Sequence, residues 1–335
     1  MRKQVATLAA IALLTSACAS EGTLPRPASG TNPQVILTQE KFAEIAAAAE
    51  KDIAAANSSL DAAALGNRVG GPVRAYRTSQ LKLESLLGES YNLDPLIVDG
   101  QATPVSSGTA FPRTLMTVVP PREGKNLTTL SVWSQDQARS NYQLWADVAL
   151  FPGVEVPAIV SSLNNSEGFP KVDPAAYAVN PEEVLANYVA YNGTRQPQKI
   201  RFQENDPLFR QIADQQDAFV RSLGNLGTAT TDFAAGEAGL RGVSTENGGL
   251  VIVGEMRYTV RITKTAAGAK LRIGGQIGAL HKDSGENPVL EIDKQGVANY
   301  STTVVFYIPG AGSDATVRVI GSSEPTLISV ENVAQ

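Results

Sequence analysis

The spacing of apolar positions changes period twice along the chain. After Thr38, Phe42, Ile45, Ala49, Ile53, Leu60 and Ala64 recur every three or four residues with alanines between them, which predicts a helix with one buried stripe, stopped at Gly66. Gly70-Gly71-Pro72 forces a turn, and a second helix is expected from Arg74 to Leu87, ending at Gly88. The period then becomes two. Phe111 to Val119 and Leu127 to Ser134 read as strands, and Asn141 to Leu150 alternates, with Tyr142, Leu144, Ala146, Val148 and Leu150 on one face and Gln143, Trp145 and Asp147 on the other.

Residues 151–180 are irregular and proline-punctuated, and after them the same order returns. Asn180-Pro181-Glu182-Glu183 combines a cap, a first-turn proline and an acidic third position, followed by Val184, Leu185, Tyr188 and Val189 at helical spacing. Asp206-Pro207 opens another helix, with Leu208, Ile212, Phe219 and Leu223 on one side and Gly224 as its stop. Leu250 to Thr263 alternates throughout; Leu271, Ile273 and Ile277 continue the pattern as a hairpin, and Tyr300 to Ile308, Thr316 to Ile320 and Thr326 to Val330 add strands. The fold class expected is α+β, in two tandem helix-then-antiparallel-meander domains at 38–176 and 177–335.

Ahead of the first helix lies a different pattern. Arg2 and Lys3 precede an apolar run from Val5 to Leu14, the composition of an export signal and too short for a bilayer, which takes roughly 20 residues. The run ends Leu14-Thr15-Ser16-Ala17 before Cys18, the single cysteine. This resembles a bacterial lipobox, although Thr15 stands where that pattern prefers Leu, Val or Ile. The resemblance implies removal of residues 1–17, acylation of Cys18 and an anchor on the extracytoplasmic face of a cell membrane. An ordinary secretory signal cut near Ala17-Cys18, or a short uncut anchor, stays open. Residues 18–37 carry prolines, glycines and hydroxyl residues with no apolar period, and read as a lipidated tether.

The resemblance reaches further. The helix-then-meander halves resemble the cystatin-like or NTF2-like architecture. The lipobox, the alanine-rich first helix, Ser131-Val132-Trp133-Ser134-Gln135-Asp136, the strand at 141–150, Glu155-Val156-Pro157 and Asp173-Pro174 look like an actinobacterial lipoprotein family of unknown function. That likeness implies no activity.

Composition narrows the functional classes. A chain that is 43% hydrophobic and 18% charged builds a full core. Without Arg2 and Lys3 it holds 26 basic and 33 acidic residues, an acidic balance unsuited to phosphate backbones, so no nucleic-acid partner is expected. With one histidine and with Cys18 used as an anchor, no metal site of the usual kind and no cofactor are expected.

Candidate catalytic groups are few. His281, beside Lys282 and Asp283, reads as a solvated loop histidine at a strand end; Asp232 and Glu237 make a glycosidase-like pair in spacing alone. No G-x-S-x-G elbow is present. No catalytic residue is assigned. Trp133 and Trp145 read as core or sheet-face aromatics, and the functional alternative is that Gln143, Trp145 and Asp147 line a cavity between sheet and helix, where NTF2-like folds keep ligands.

The expectation is a non-enzymatic, lipid-anchored module that binds a protein partner or a small apolar ligand at the cell envelope, held to the membrane by its N-terminal lipid and working within an envelope complex. Two alternatives remain. One is an envelope enzyme using carboxylates in an NTF2-like cavity; the other is a transporter's solute-binding lipoprotein, which wants strands alternating with helices.

Overall fold

A computed structural model describes residues 37–102, 105–106, 111–122, 125–159, 169, 172–204, 206–282, 288–314 and 316–333. The export signal, Cys18 and all but the end of the tether lie outside the described residues.

Helix α1 (Gln39–Ser59) starts where Thr38 accepts a hydrogen bond from the Lys41 amide at 3.2 Å. It stops five residues before the expected end. Asn57, Ser58 and Ser59 favour local hydrogen bonds over the helix ladder, Ser59 donating to the Ala55 carbonyl at 2.8 Å, and Leu60 takes a left-handed conformation. Asp61 then caps a separate 3-10 turn (Ala62–Leu65). Helix α2 (Gly71–Leu87) begins one turn earlier than expected, because Pro72 is at home in a first turn.

One antiparallel sheet gathers strands from both halves of the chain. The strands are β1 (Val105–Ser106), β2 (Arg113–Val119), β3 (Thr129–Gln135), β4 (Gln143–Leu150), β5 (Gly227–Ser244), β6 (Leu250–Lys264), β9 (Gln295–Ile308), β10 (Arg318–Ser322) and β11 (Thr326–Val333); β7 (Leu271–Ile273) and β8 (Leu290–Ile292) form a separate small ribbon. The order is β1-β2-β3-β4-β10-β9-β6-β5, with β11 on β9. The joint between the halves is β4 against β10, pairing Leu150 with Gly321 and Ala149 with Ser322. The boundary expected at 176/177 therefore falls beside a continuous sheet, and residues 33–335 form a single compact unit.

The sheet is curled, which gives it an inner core and two outer ones. Inside, Met116, Leu130, Val132 and Trp145 meet Val243, Val251, Val253, Val305 and Tyr307. Outside, α1 and α2 cover Leu115, Trp133 and Leu144, with Phe42 set edge-on to Trp133 at 5.5 Å. On the other wing, α3 (Pro181–Thr194) and α4 (Pro207–Leu223) cover Ile252, Met256, Tyr258 and Phe306. Both helices start as expected, capped by Asn180 and Asp206.

Two expectations change here. The register of β3 on β4 shifts between Val132 and Trp133, so Leu144 pairs with Trp133 while Ala146 pairs with Val132. A bulge of this kind moves the residues beyond it to the opposite face. Leu144 accordingly joins the core under α1 and α2, whereas Ala146, Val148 and Leu150 join the inner one. The hairpin expected to continue through Ile277 breaks at Gly275, whose φ of +62° ends the strand, and α5 (Gly275–Lys282) follows.

Candidate functional site

A hollow of about 540 Å³ opens where α2, residues 94–96, the β2–β3 turn, β4, the start of α4 and the end of β10 converge. Asp147 forms its inner wall. Because the bulge sits two residues earlier in β4, Asp147 shares the α2 side of the sheet with Leu144. It is 6% exposed, and its carboxylate is held by Lys125 and by Ser131 Oγ at 3.0 Å. Burial pushes its carboxyl above the usual aspartate range, opposed chiefly by the Lys125 charge. Tyr76 lies beside it, and burial, with the Asp147 charge second, keeps that phenol protonated far into the alkaline range.

Arg77 is the other deep group. It is 1% exposed, and its guanidinium donates to three neutral acceptors: the Asp94 carbonyl at 2.7 Å, Asn57 Oδ1 at 2.8 Å and Gln80 Oε1 at 3.0 Å. Those bonds tie α1, α2 and the segment after α2 together, and none of the described ion pairs includes Arg77. Burial lowers its pKa from the ordinary arginine value.

Two further carboxylates stand at the exposed rim, Asp94 and Glu324. Glu324 accepts from Gln211 Nε2 at 2.8 Å; although its side chain reaches water, the protein packed around it raises its carboxyl.

Chemically, the hollow offers one buried carboxylate already clamped by a cation and a hydroxyl, with acidic groups at the entrance. A second buried carboxylate facing Asp147, as an acid–base pair needs, is absent among the lining residues. His281 lies elsewhere, half-buried on α5 rather than in a solvated loop. Among the described residues, no group of three or more His, Cys, Asp and Glu is arranged to hold a metal ion.

Of the three residues expected to share a cavity, only Asp147 lines this one. Gln143 is half-buried, donates to the Asn67 carbonyl at 3.1 Å and borders a separate depression beside Asp136 and Ser140. Trp145 is 3% exposed, with the Arg241 guanidinium over its ring at 5.0 Å and Gly71 against its edge. Gly71 has a φ of +53°, and a Cβ there would run into the indole, so glycine is required twice over. Asp232 and Glu237 are both exposed on β5, and Asp232 pairs with Arg261 at 2.9 Å.

Sequence reading passed over Tyr76, Arg77, Lys125 and Glu324. Arg77 did carry a signal: it stands four residues from Val73 and four from Leu81, inside the apolar stripe of α2, where an arginine must be buried and bonded. Lys125 and Glu324 lie in turns and reach the site only through tertiary folding. Comparisons with protein families, with curated proteins and with solved structures find no match to this chain.

Proposed function

We propose that the chain is a lipid-anchored, extracytoplasmic and non-enzymatic binding module of the cell envelope, attached through Cys18 and engaging a protein partner or a small, largely apolar ligand. The observation that carries this reading is the Asp147 hollow. It is assembled from six separate segments, and its deep ionised groups are largely matched to fixed partners, Asp147 to Lys125 and Ser131, and the two Nη atoms of Arg77 to three neutral acceptors, with Arg77 Nε buried and unpaired. Such groups shape and polarise a site; they do not stand ready for proton transfer. The acidic rim at Asp94 and Glu324 suits a partner that presents a basic or amide-rich segment.

The finer reading of the architecture belongs to this proposal. We read the halves as two NTF2- or cystatin-like units that share one sheet, α1 and α2 serving β2–β4 and α3 and α4 serving β5, β6 and β9. One observation favours the envelope enzyme instead: a carboxyl with a raised pKa lining an open hollow is what a general acid requires.

The test is co-purification from native membranes of the wild-type chain, a Cys18→Ala variant and an Asp94→Lys/Glu324→Lys variant. The proposal expects the wild type in the membrane fraction with stoichiometric partners, the Cys18 variant shed, and the rim variant anchored but stripped of partners. Retention of the Cys18 variant overturns the anchor, and partners that stay with the rim variant overturn the site.

A further inference from the structure

One end of the sheet gathers exposed apolar side chains and unpaired cations. Four strands lie side by side there, in the order β5-β6-β9-β11. Their ends are level: Gly227 stands opposite Lys264, Thr263 opposite Gln295, and Gln295 opposite Val333. Helix α4 delivers its last turn to the same place, since only Gly224, Asn225 and Leu226 separate it from β5. Three large apolar side chains are exposed along this end, Val220 at 44%, Leu226 at 41% and Val333 at 41%. Val220 also borders an uncharged hollow of about 250 Å³ between α4, α5 and the outer face of β5, β6 and β9. Apolar residues exposed singly are ordinary; several on one edge beside cations mark an interaction surface.

The cations are the second observation. Lys264 ends β6 and Lys294 immediately precedes β9, and the two are side by side, the Lys264 amide donating to the Lys294 carbonyl at 3.1 Å. Arg221 stands in the last turn of α4, next to Val220. None of the described ion pairs includes Arg221, Lys264 or Lys294. The carboxylates nearby are mostly engaged: Glu291 is shared by Arg272 at 2.8 Å and Lys270 at 3.6 Å, and Asp217, one turn before Arg221, is held by Arg195 at 2.9 Å. Within residues 220–227, 264–272 and 289–295, Arg221, Lys264, Lys270, Arg272 and Lys294 face only Glu291 and Asp293, in a chain whose net charge is −5. Like charges on neighbouring strands cost stability, so this end holds an arrangement that an anion from outside the chain relieves.

We propose that this end docks on an anionic bilayer surface, with Arg221, Lys264 and Lys294 meeting lipid phosphates while Val220, Leu226 and Val333 enter the interface. The cations select a negative headgroup, and the apolar side chains select a bilayer over a dissolved phosphate, which has no use for them. The inference rests on the envelope-module reading for the presence of a bilayer and adds an orientation to it. Residues 18–37 can span up to roughly 65 Å when extended, so an anchor at Cys18 leaves every face of the folded unit free to meet the membrane. A second contact is what sets which face does.

The test uses the full chain with Cys18→Ala, so that an introduced cysteine is the only one. Ala267→Cys, in the turn after β6 at this end, carries a nitroxide in one sample, and Gln137→Cys, in the turn after β3, carries it in another. Electron paramagnetic resonance reads the immersion of each label in vesicles of phosphatidylcholine alone and of equal parts phosphatidylcholine and phosphatidylglycerol. The label at 267 should be immersed only in the anionic vesicles, and the label at 137 should stay in water in both. Lys264→Gln/Lys294→Gln should lower the ratio of immersed to aqueous label about 25-fold, roughly fivefold per cation, and Arg221→Gln alone about fivefold. Leu226→Ser/Val333→Ser should lower it too, inorganic phosphate should not release the label, and melting by circular dichroism checks that each variant is folded. The proposal is overturned if the label at 267 stays in water with anionic vesicles, as an end that binds an acidic protein would leave it. It is equally overturned if both labels immerse together, if the folded lysine and arginine variants stay immersed, or if phosphate releases the label. Because Cys18 is absent from every sample, failure here is distinct from failure of the anchored-module reading.

Discussion

Under α1 and α2, Ala46, Ala49 and Ala56 pack with Leu115 and Leu144 around the edge-on pair of Phe42 and Trp133, and the hollow beside them is framed by charges. Under α3 and α4 the sheet is packed with rings: Tyr188 lies 5.1 Å from Phe202 and 5.2 Å from Phe306, while Tyr191 stacks on Phe209 at 4.4 Å. The neighbouring hollow there is almost free of charge. The two outer cores share a sheet but rest on different physics. Alanines let a helix sit close to the sheet, and the Lys125–Asp147 pair lines the gap that remains. Rings fill much of their space, and one hollow that remains lies between α4, α5 and the sheet.

Substitutions separate the two modes. The largest effect is expected at Phe306→Ala on the ring-packed side, which removes a side chain at the centre of the aromatic cluster and should cost about 3–5 kcal/mol of unfolding free energy in denaturant titration. Lys125→Met comes next, on the charged side. It leaves Asp147 without its cation, and because the Lys125 side chain is 12% exposed and the hollow reaches water, the expected cost at neutral pH is about 2–3 kcal/mol, below the roughly 3–5 of a fully enclosed pair.

The two variants should also differ in pH dependence. The folded-state pKa of Asp147 is raised above its unfolded value, so protonation favours the folded chain. Loss of Lys125 raises it further. The cost of Lys125→Met should therefore be greatest near neutral pH and shrink as pH falls through that raised value, whereas the cost of Phe306→Ala should stay level; paired melting curves at pH 7 and pH 5 read the difference.

A smaller effect tests the carboxylate at the ring cluster, Asp206. Tyr188 donates to Asp206 Oδ2 at 2.5 Å, while Asp206 Oδ1 caps α4 through the Leu208 amide at 2.9 Å. Tyr188→Phe keeps the ring and removes that bond, for an expected loss of about 1–2 kcal/mol. Burial already raises the Asp206 carboxyl and the Tyr188 bond opposes this, so the loss too should lessen as pH falls. Smallest is Thr38→Ala at the start of α1, with a cost of about 1 kcal/mol. A loss much larger than that would show α1 to depend on its cap more than on its buried stripe.

Much of the secondary structure could be read directly, because caps and periods are local. Thr38, Asn180 and Asp206 announce their helices, and alternation announces β6, while β9, buried on both faces, is legible only from Tyr300 onward, five residues after it starts. The longest strand, β5, was passed over. Its outward residues, from Thr228 to Glu237, are polar or small, and its inward ones, Ala229, Thr231 and Phe233, are only half-buried, so the contrast that marks a strand is weak. The single sheet was illegible for another reason: the pairing of β4 with β10 joins residues 171 and 173 positions apart, and no local pattern records it. The same applies to the Asp147 hollow. Alternation placed Asp147 with Gln143 and Trp145, but a one-residue bulge separates their surroundings, and bulges leave little trace in composition.

That long-range pairing bears on the order in which the molecule can be completed. β4 has β3 on one side and, at Leu144, residues 68–70 on the other, yet the far end of that second edge, at Ala149 and Leu150, stays open until residues 318–322 have been synthesised. Ser79 of α2 likewise donates to the Leu327 carbonyl of β11, a partner that arrives 248 residues later. The ribosome thus delivers the closing pieces last, and in the interval the growing chain carries an unpaired strand edge and an uncovered helix flank, features that invite association with other chains. The far end of β4 and the Leu327 partner of α2 are therefore completed only once the C-terminal strands are in place.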